Sequence, residues 1–180
     1  MNRILLTALL LALPVSASAQ AMPGMAHPTS NGSAVLQGLS GPAFDRAFLS
    51  MMTPHHQAAV AMSRALLARS HDAGVRRWAQ GIIAAQEREI AEMTALLRPL
   101  GGPQPQMAAA MTDMAAGVRA ARDPDQTYVE GMVSHHAGAL DMATVALQRS
   151  GNPRVLRLAR DIARSQAQEI YDFRLWLLRH

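Results

Sequence analysis

Two twelve-residue segments of this chain carry the same arrangement of methionine and histidine. Residues 51–62 read MMTPHHQAAVAM and residues 131–142 read GMVSHHAGALDM. In both segments a pair of adjacent histidines follows one methionine by three residues and precedes another by six. Thioethers favour Cu(I), and imidazole suits copper, zinc, nickel and iron. The pattern therefore predicts a metal site whose candidate ligands here are Met52, His55, His56, Met62, Met132, His135, His136 and Met142.

The repeat continues beyond these segments at the same offset of 80 positions, without a gap. IIAAQEREIAEM at 82–93 corresponds to the region that reads DIARSQAQEIYDF at 161–173. Each segment places one acid, Glu89 or Glu169, on an otherwise apolar stripe. A lone buried carboxylate is costly, so a histidine or a metal across the fold is its expected partner. Glu89 and Glu169 are therefore candidate metal ligands as well. Met93 joins the candidate ligands in the first half only, because Phe173 takes its place in the second.

The spacing of apolar residues predicts an all-α fold. Steps of three and four residues indicate helical hairpins over about 44–98 and 125–178, joined by a linker over 99–124. Asp72 and Asn152 are predicted N-caps, and the linker holds a short helix over 105–121. Two repeated hairpins make a four-helix bundle with pseudo-two-fold symmetry, occupying 42–180.

The N-terminal residues are expected to lie outside this bundle. Residues 1–19 have a positive start, a short apolar run and small residues before the cleavage position, which together predict a signal peptide. We therefore expect a periplasmic or secreted protein without a stable membrane anchor. Residues 20–41 are rich in Pro, Gly and Ser and predict a flexible arm. A flexible arm gains no packing from methionine, so Met22, Met25 and His27 are further candidate ligands.

Composition argues against a nucleic-acid partner. The net charge is +4, but its basic residues are all arginines, spread along the helices and interleaved with acids. Aromatic residues make up 4% of the chain, which leaves little for stacking on bases. With no cysteine in the chain, any metal site must use His, Met, Asp, Glu or backbone atoms.

A purely structural role of these residues is the alternative to a metal site. The methionines can pack in the hydrophobic core, and the histidines can be satisfied by hydrogen bonds. The methionines of the linker, Met107, Met111 and Met114, can equally form the apolar face of a small helix.

The doubled motif resembles the exported family called domain of unknown function 305. The resemblance rests on FLSMMTPHHQAAVAMS, IIAAQEREIAEM, YVEGMVSHHAGALDMA and DIARSQAQEIYDF, and it covers roughly residues 44–178. It implies a ferritin-like four-helix bundle and copper binding outside the cytoplasm. The positions that match its motif are Met52, His55, His56, Met62 and Glu89, with Met132, His135, His136, Met142 and Glu169 in the second half.

These observations predict a copper-binding protein and not an enzyme. It would sequester, buffer or carry Cu(I), and also Cu(II), for metal tolerance, and pass ions to other copper-handling proteins. One alternative is a dinuclear iron or manganese oxidase, oxygenase or catalase in a ferritin-like bundle. Such sites take a Glu three residues before each histidine, where this chain has Met52 and Met132. The other alternative is a metal-free interaction bundle.

Overall fold

The computed structural model of the protein describes residues 29–107 and 113–180, and these residues form helices and no strand. The helices are α1 (Thr29–Gln37), α2 (Gly41–Leu67), α3 (Ala73–Leu97), α4 (Met114–Ala120), α5 (Pro124–Arg149) and α6 (Pro153–Leu177), with short 3-10 turns at Arg98–Leu100 and Pro105–Met107. The predicted all-α class is confirmed. None of the helices in these ranges is long and apolar enough to cross a membrane.

Side-chain caps fix where the second helix of each hairpin begins. The carboxylate of Asp72 accepts hydrogen bonds from the backbone N–H groups of Gly74 and Val75 at 2.7 and 2.8 Å. The side chain of Asn152 accepts one from the N–H of Arg154 at 3.0 Å. Both residues satisfy donors that have no partner inside the helix, as the sequence predicts.

The repeat includes the short helices as well as the long ones. α2 packs against α3 and α5 against α6, and the two hairpins meet through α2 and α5. α1 packs on α5, whereas α4 packs on α2. Two repeat-related arginines hold these short helices: Arg149 donates to the carbonyl of Leu39, and Arg69 to the carbonyls of Arg119 and Ala121.

A layer of polar side chains crosses the middle of the four long helices. One apolar cluster takes residues 44–52, 93–97, 139–146 and 155–162, and a second takes residues 59–66, 75–82, 128–132 and 173–176. Each long helix therefore contributes one end to each cluster, and its middle belongs to neither. The side chains between the clusters, which we call the polar layer, are His55, His56, Gln86, Glu89, His135, His136, Gln166 and Glu169.

The prediction of a flexible arm over residues 20–41 is wrong for its second half. Residues 29–37 form α1, and Leu36 is fully buried in the first apolar cluster. The arginine contact to Leu39 fixes the turn that follows. The local sequence does not predict this helix, because the helix is stabilised by packing on α5 and not by helix propensity. The predicted signal peptide and residues 20–28 lie outside the described residues.

The linker differs from its prediction as one short helix, and α2 contains a proline. The short helix predicted over 105–121 is a 3-10 turn at Pro105–Met107 and the separate helix α4; residues 108–112 lie outside the described part. Asp113 caps α4 by accepting from the N–H of Ala116 at 2.9 Å. Pro54 lies inside α2, and the helix continues through it.

A buried hydroxyl pair gives a test of the packing between α2 and α5. The hydroxyl groups of Ser63 and Tyr128 are 2.9 Å apart, and both residues are fully buried. We expect Ser63→Ala alone to lower the free energy of unfolding by about 1–3 kcal/mol, because it leaves the Tyr128 hydroxyl unpaired. The double variant Ser63→Ala/Tyr128→Phe should recover most of that loss in urea denaturation.

The repeat supplies a natural precedent for the double variant. The equivalent positions hold Ala143 and Phe48, both fully buried, so both polar partners are absent there together. A double variant less stable than Ser63→Ala would contradict the prediction.

Candidate metal centre

The two repeated histidine segments meet at the contact between α2 and α5. The ring centroids of His55 and His135 are 3.7 Å apart, with planes inclined by 37°. Both residues are buried, with 8% and 4% of their surface exposed. One histidine of each pair therefore faces its repeat counterpart across the two hairpins.

The other histidine of each pair faces a carboxylate on the second helix of its own hairpin. His56 Nε2 lies 3.0 Å from Glu89 Oε2, and His136 Nε2 lies 2.7 Å from Glu169 Oε2. The first contact is an aligned hydrogen bond, whereas the second has the distance of an ion pair without hydrogen-bond alignment. The partner of each acid is therefore a histidine of the adjacent helix, and both acids are half-buried and not fully buried as the sequence suggests.

The carboxylates leave the inner nitrogens of these rings available. In a neutral His56 that donates its Nε2–H to Glu89, the Nδ1 atom carries a lone pair. Within the part of the chain that the structure describes, Nδ1 of all four histidines of the layer, and Nε2 of His135, are buried without a hydrogen-bond partner. A carboxylate that orients the far nitrogen of a ligating histidine is the usual outer partner in metal sites. The donor set thus fits a metal ion that binds imidazole.

Burial keeps the two facing rings uncharged. It is the main cause that lowers the pKa of His55 to about 3, and the charges of His56 and His136 add to the effect. Burial also lowers the pKa of His135 well below its usual value, with His55 as the next cause. Protonated rings at this separation would repel each other, so both rings are neutral at pH 7 and retain donor lone pairs.

The predicted thioether ligands lie on both sides of the polar layer. Met52, Met93 and Met142 belong to the first apolar cluster, and Met62 and Met132 belong to the second. Each of the five is at least 94% buried. Because Met52 and Met132 each lie one helical turn before a facing histidine, one thioether flanks the layer from each side.

The two halves differ in structure at the position where their sequences differ, Met93 and Phe173. Thr53 Oγ1 lies 3.8 Å from the sulfur of Met93. In the second half the ring of Phe173 lies 5.9 Å from that of His136. Soft donor atoms are therefore distributed unequally about the two histidine pairs.

Sequence reasoning passed over two kinds of residue near this layer. Gln86 and Gln166 are 2% and 1% exposed, and no side-chain amide atom of either has a hydrogen-bond partner among the residues described. The signal in the sequence that could have identified them is the recurrence of glutamine at the same position of both halves. Met114 of α4 packs near Met62: a Cβ on Gly131 would lie 3.0 and 3.4 Å from the methyl carbons of Met62 and Met114. Met107 packs against the first apolar cluster instead.

Some of the predicted ligands are not brought together. Within residues 29–107 and 113–180, no three His, Asp or Glu side chains are placed to share one ion. Met22, Met25, His27 and Met111 lie outside the described residues. The site is therefore a layer of imidazoles with single carboxylate partners, flanked by thioethers.

The fold and this site define an all-helical protein with a buried histidine layer between two methionine-containing clusters. The chain belongs to the family described as Domain of unknown function (DUF305), whose sequence model matches residues 14–97 and 125–180.

Solved structures share this fold. CopM in its Cu(I)-bound form aligns with a TM-score of 0.70 and 32% identity, over 75% of this chain and 96% of CopM. Its Cu(II)-bound form gives 0.67 and 31%, over 73% and 94%. A DUF305 fragment from Deinococcus radiodurans gives 0.67 and 28%, over 76% and 96%.

One relative in sequence matches only a short part of this chain. Uncharacterized protein L153 of Acanthamoeba polyphaga mimivirus is 40% identical over 48 residues, which are 27% of this chain. The match spans 32% of that protein's length.

The neutral facing histidines predict how stability depends on pH. Between about pH 6.5 and pH 3 the unfolded chain binds protons at His55 and His135 that the folded chain does not. The free energy of unfolding of the metal-free protein should therefore decrease as the pH is lowered through this range, by up to about 1.4 kcal/mol per pH unit for each histidine. Urea denaturation across this range in the presence of a chelator measures the slope.

Variants assign that slope to the facing pair. His55→Gln/His135→Gln should flatten it, because glutamine does not titrate. His71→Gln, at an exposed position beyond α2, is the matched control and should leave the slope unchanged. Equal slopes in wild type and the double variant would show that other groups cause the acid sensitivity.

Proposed function

We propose that this protein is an exported copper-binding protein that sequesters, buffers or carries copper in metal tolerance. The observation that carries the proposal is the set of buried, unpartnered imidazole nitrogens at the contact between α2 and α5. Leaving such atoms buried and unpaired costs free energy, so a bound ion is the simplest reason for the sequence to keep them. Imidazole nitrogens flanked by thioethers suit Cu(I), and imidazole also accepts Cu(II).

The similarity to CopM supports copper as the ion. CopM has been solved with Cu(I) and with Cu(II), and this chain covers nearly all of its length. We propose as ligands the facing pair His55 and His135, the carboxylate-paired His56 and His136, and the buried methionines Met52, Met62, Met93, Met132 and Met142. Glu89 and Glu169 orient their histidines and balance the charge of the ion.

The same proposal includes the architecture and the compartment. The four long helices would form a ferritin-like four-helix bundle with the polar layer as its ligand plane. The predicted signal peptide would direct the protein to the periplasm or outside the cell, and Met22, Met25 and His27 would capture ions or transfer them to other copper-handling proteins. The proposal assigns binding and no catalytic activity.

The dinuclear-enzyme alternative has less support in the geometry. Glu89 and Glu169 each contact the histidine of their own hairpin instead of bridging toward a common point. The helices that carry the histidines place methionine where carboxylate-rich sites have Glu. Iron or manganese bound at about two ions per chain, with turnover of peroxide or oxygen, would favour this alternative.

Anaerobic competition against a coloured Cu(I) chelator tests the histidine layer. Replacing His55, His56, His135 and His136 together with glutamine should weaken Cu(I) binding by roughly a hundredfold or more, about 2.7 kcal/mol. His71→Gln is the matched control and should bind as wild type does. Unchanged stoichiometry and affinity in the fourfold variant, with helicity retained by circular dichroism, would refute the layer as the site.

The thioethers are tested separately because they distinguish the oxidation states. Met52→Leu/Met142→Leu keeps the buried volume nearly constant and removes two sulfur atoms. It should weaken Cu(I) by roughly tenfold and change Cu(II) binding little, because thioethers are soft donors. Met107→Leu, in the 3-10 turn of the linker, is the control. If the double variant and the Met107→Leu control bind Cu(I) with equal affinity, Met52 and Met142 serve core packing and are not ligands.

A further inference from the structure

Two glutamines in the polar layer are buried without a hydrogen-bond partner among residues 29–107 and 113–180. Gln86 and Gln166 are almost completely buried, and both the nitrogen and the oxygen of each side-chain amide are shielded without a hydrogen-bond partner. Exposed glutamines of the same helical fold do find partners: Gln126 donates to Glu130 at 2.9 Å, and Gln168 donates to Asp172 at 3.1 Å. A leucine would fill the two buried positions without this cost.

The two glutamines precede the carboxylates of the histidine–carboxylate pairs by one helical turn. Gln86 precedes Glu89 by three residues on α3, and Gln166 precedes Glu169 by three residues on α6. Residues at this spacing share a helix face and are about 4.5 Å apart along the helix axis. Since Glu89 and Glu169 contact the histidines, the buried glutamines lie on the helix faces that are turned toward the same layer.

The neighbouring groups do not satisfy the amides. The Nδ1 atoms of the four histidines are themselves buried and unpartnered, so they form no hydrogen bond with either glutamine. The repeat places the same unpaired group at the same point of both halves. An unsatisfied amide kept at the same point of both halves favours a ligand over a local packing defect.

The chemistry of a carboxamide selects what that ligand is. Its oxygen is a neutral and comparatively hard donor that loses no proton on binding. Cu(II) accepts oxygen beside imidazole nitrogen, whereas Cu(I) prefers imidazole and thioether. Together with two carboxylates, neutral amide oxygens add donors without adding negative charge to a buried site.

We propose that Gln86 and Gln166 supply carboxamide oxygen ligands to Cu(II), so that the two oxidation states use different donors of one layer. Cu(I) is held by imidazole and thioether, and Cu(II) by imidazole and the amide oxygens. The proposal rests on the copper-binding function above and deepens it. No electron transfer is part of it, only binding of the ion in either state.

The test is a double variant, Gln86→Leu/Gln166→Leu, measured with each ion separately. Cu(II) affinity, from competition against a chelator of known strength, should fall by roughly tenfold or more. Its electron paramagnetic resonance spectrum should shift, because oxygen ligands are removed. Anaerobic Cu(I) affinity should stay within about threefold of wild type. The metal-free variant should be at least as stable in thermal unfolding, since unsatisfied amides are gone.

Controls separate ligation from structure. Gln126→Leu/Gln168→Leu removes two exposed amides and should change neither ion. Gln86→Glu/Gln166→Glu keeps an oxygen at both positions and should retain Cu(II) affinity that the leucine variant loses. The single leucine variants, each measured alone, keep the test available if the double variant unfolds.

The outcomes are distinguishable. Unchanged Cu(II) affinity and spectrum in a folded leucine variant would overturn the proposal and indicate amides that bind only buried water. An equal loss for Cu(I) and Cu(II) would also overturn it, because the glutamines would then position the histidines. If wild type itself binds neither ion, the proposed function fails before the glutamines are tested.

Discussion

The close contact of His55 with His135 is the constraint on which the centre of this protein depends. The two rings lie 3.7 Å apart inside the core, so both must be neutral for the hairpins to meet. Burial enforces that neutrality, and an uncharged imidazole is also the form that binds metal. The same packing that joins the two halves thus prepares the donors of the proposed site.

The polar layer has a cost that the two apolar clusters offset. Imidazole and amide groups without partners weaken the middle of the core, while each long helix buries apolar residues on both sides of it. Natural proteins depart from full polar satisfaction mainly at functional positions. A layer that is destabilising in isolation and repeated in both halves therefore supports the proposed metal site.

Pseudo-symmetry unites the halves without making them identical. Glu89 and Glu169 each lie against the second histidine of their own hairpin, but Met93 is replaced by Phe173 and the Ser63–Tyr128 pair by two apolar residues. Differences of this kind change the softness of the donors near each histidine. They leave the backbone framework unchanged, because buried volume and helical register are kept.

The sequence by itself determined the helices, the repeat and the chemical type of the donors, because periodicity and spacing are local properties. It did not reveal that α1 packs on α5, since that helix depends on tertiary contact. Only the folded structure decided that His55 meets His135 while His56 turns to Glu89, and that Gln86 is left unpaired. Adjacent residues point about 100° apart on a helix, and the partner of each direction is set by packing between helices.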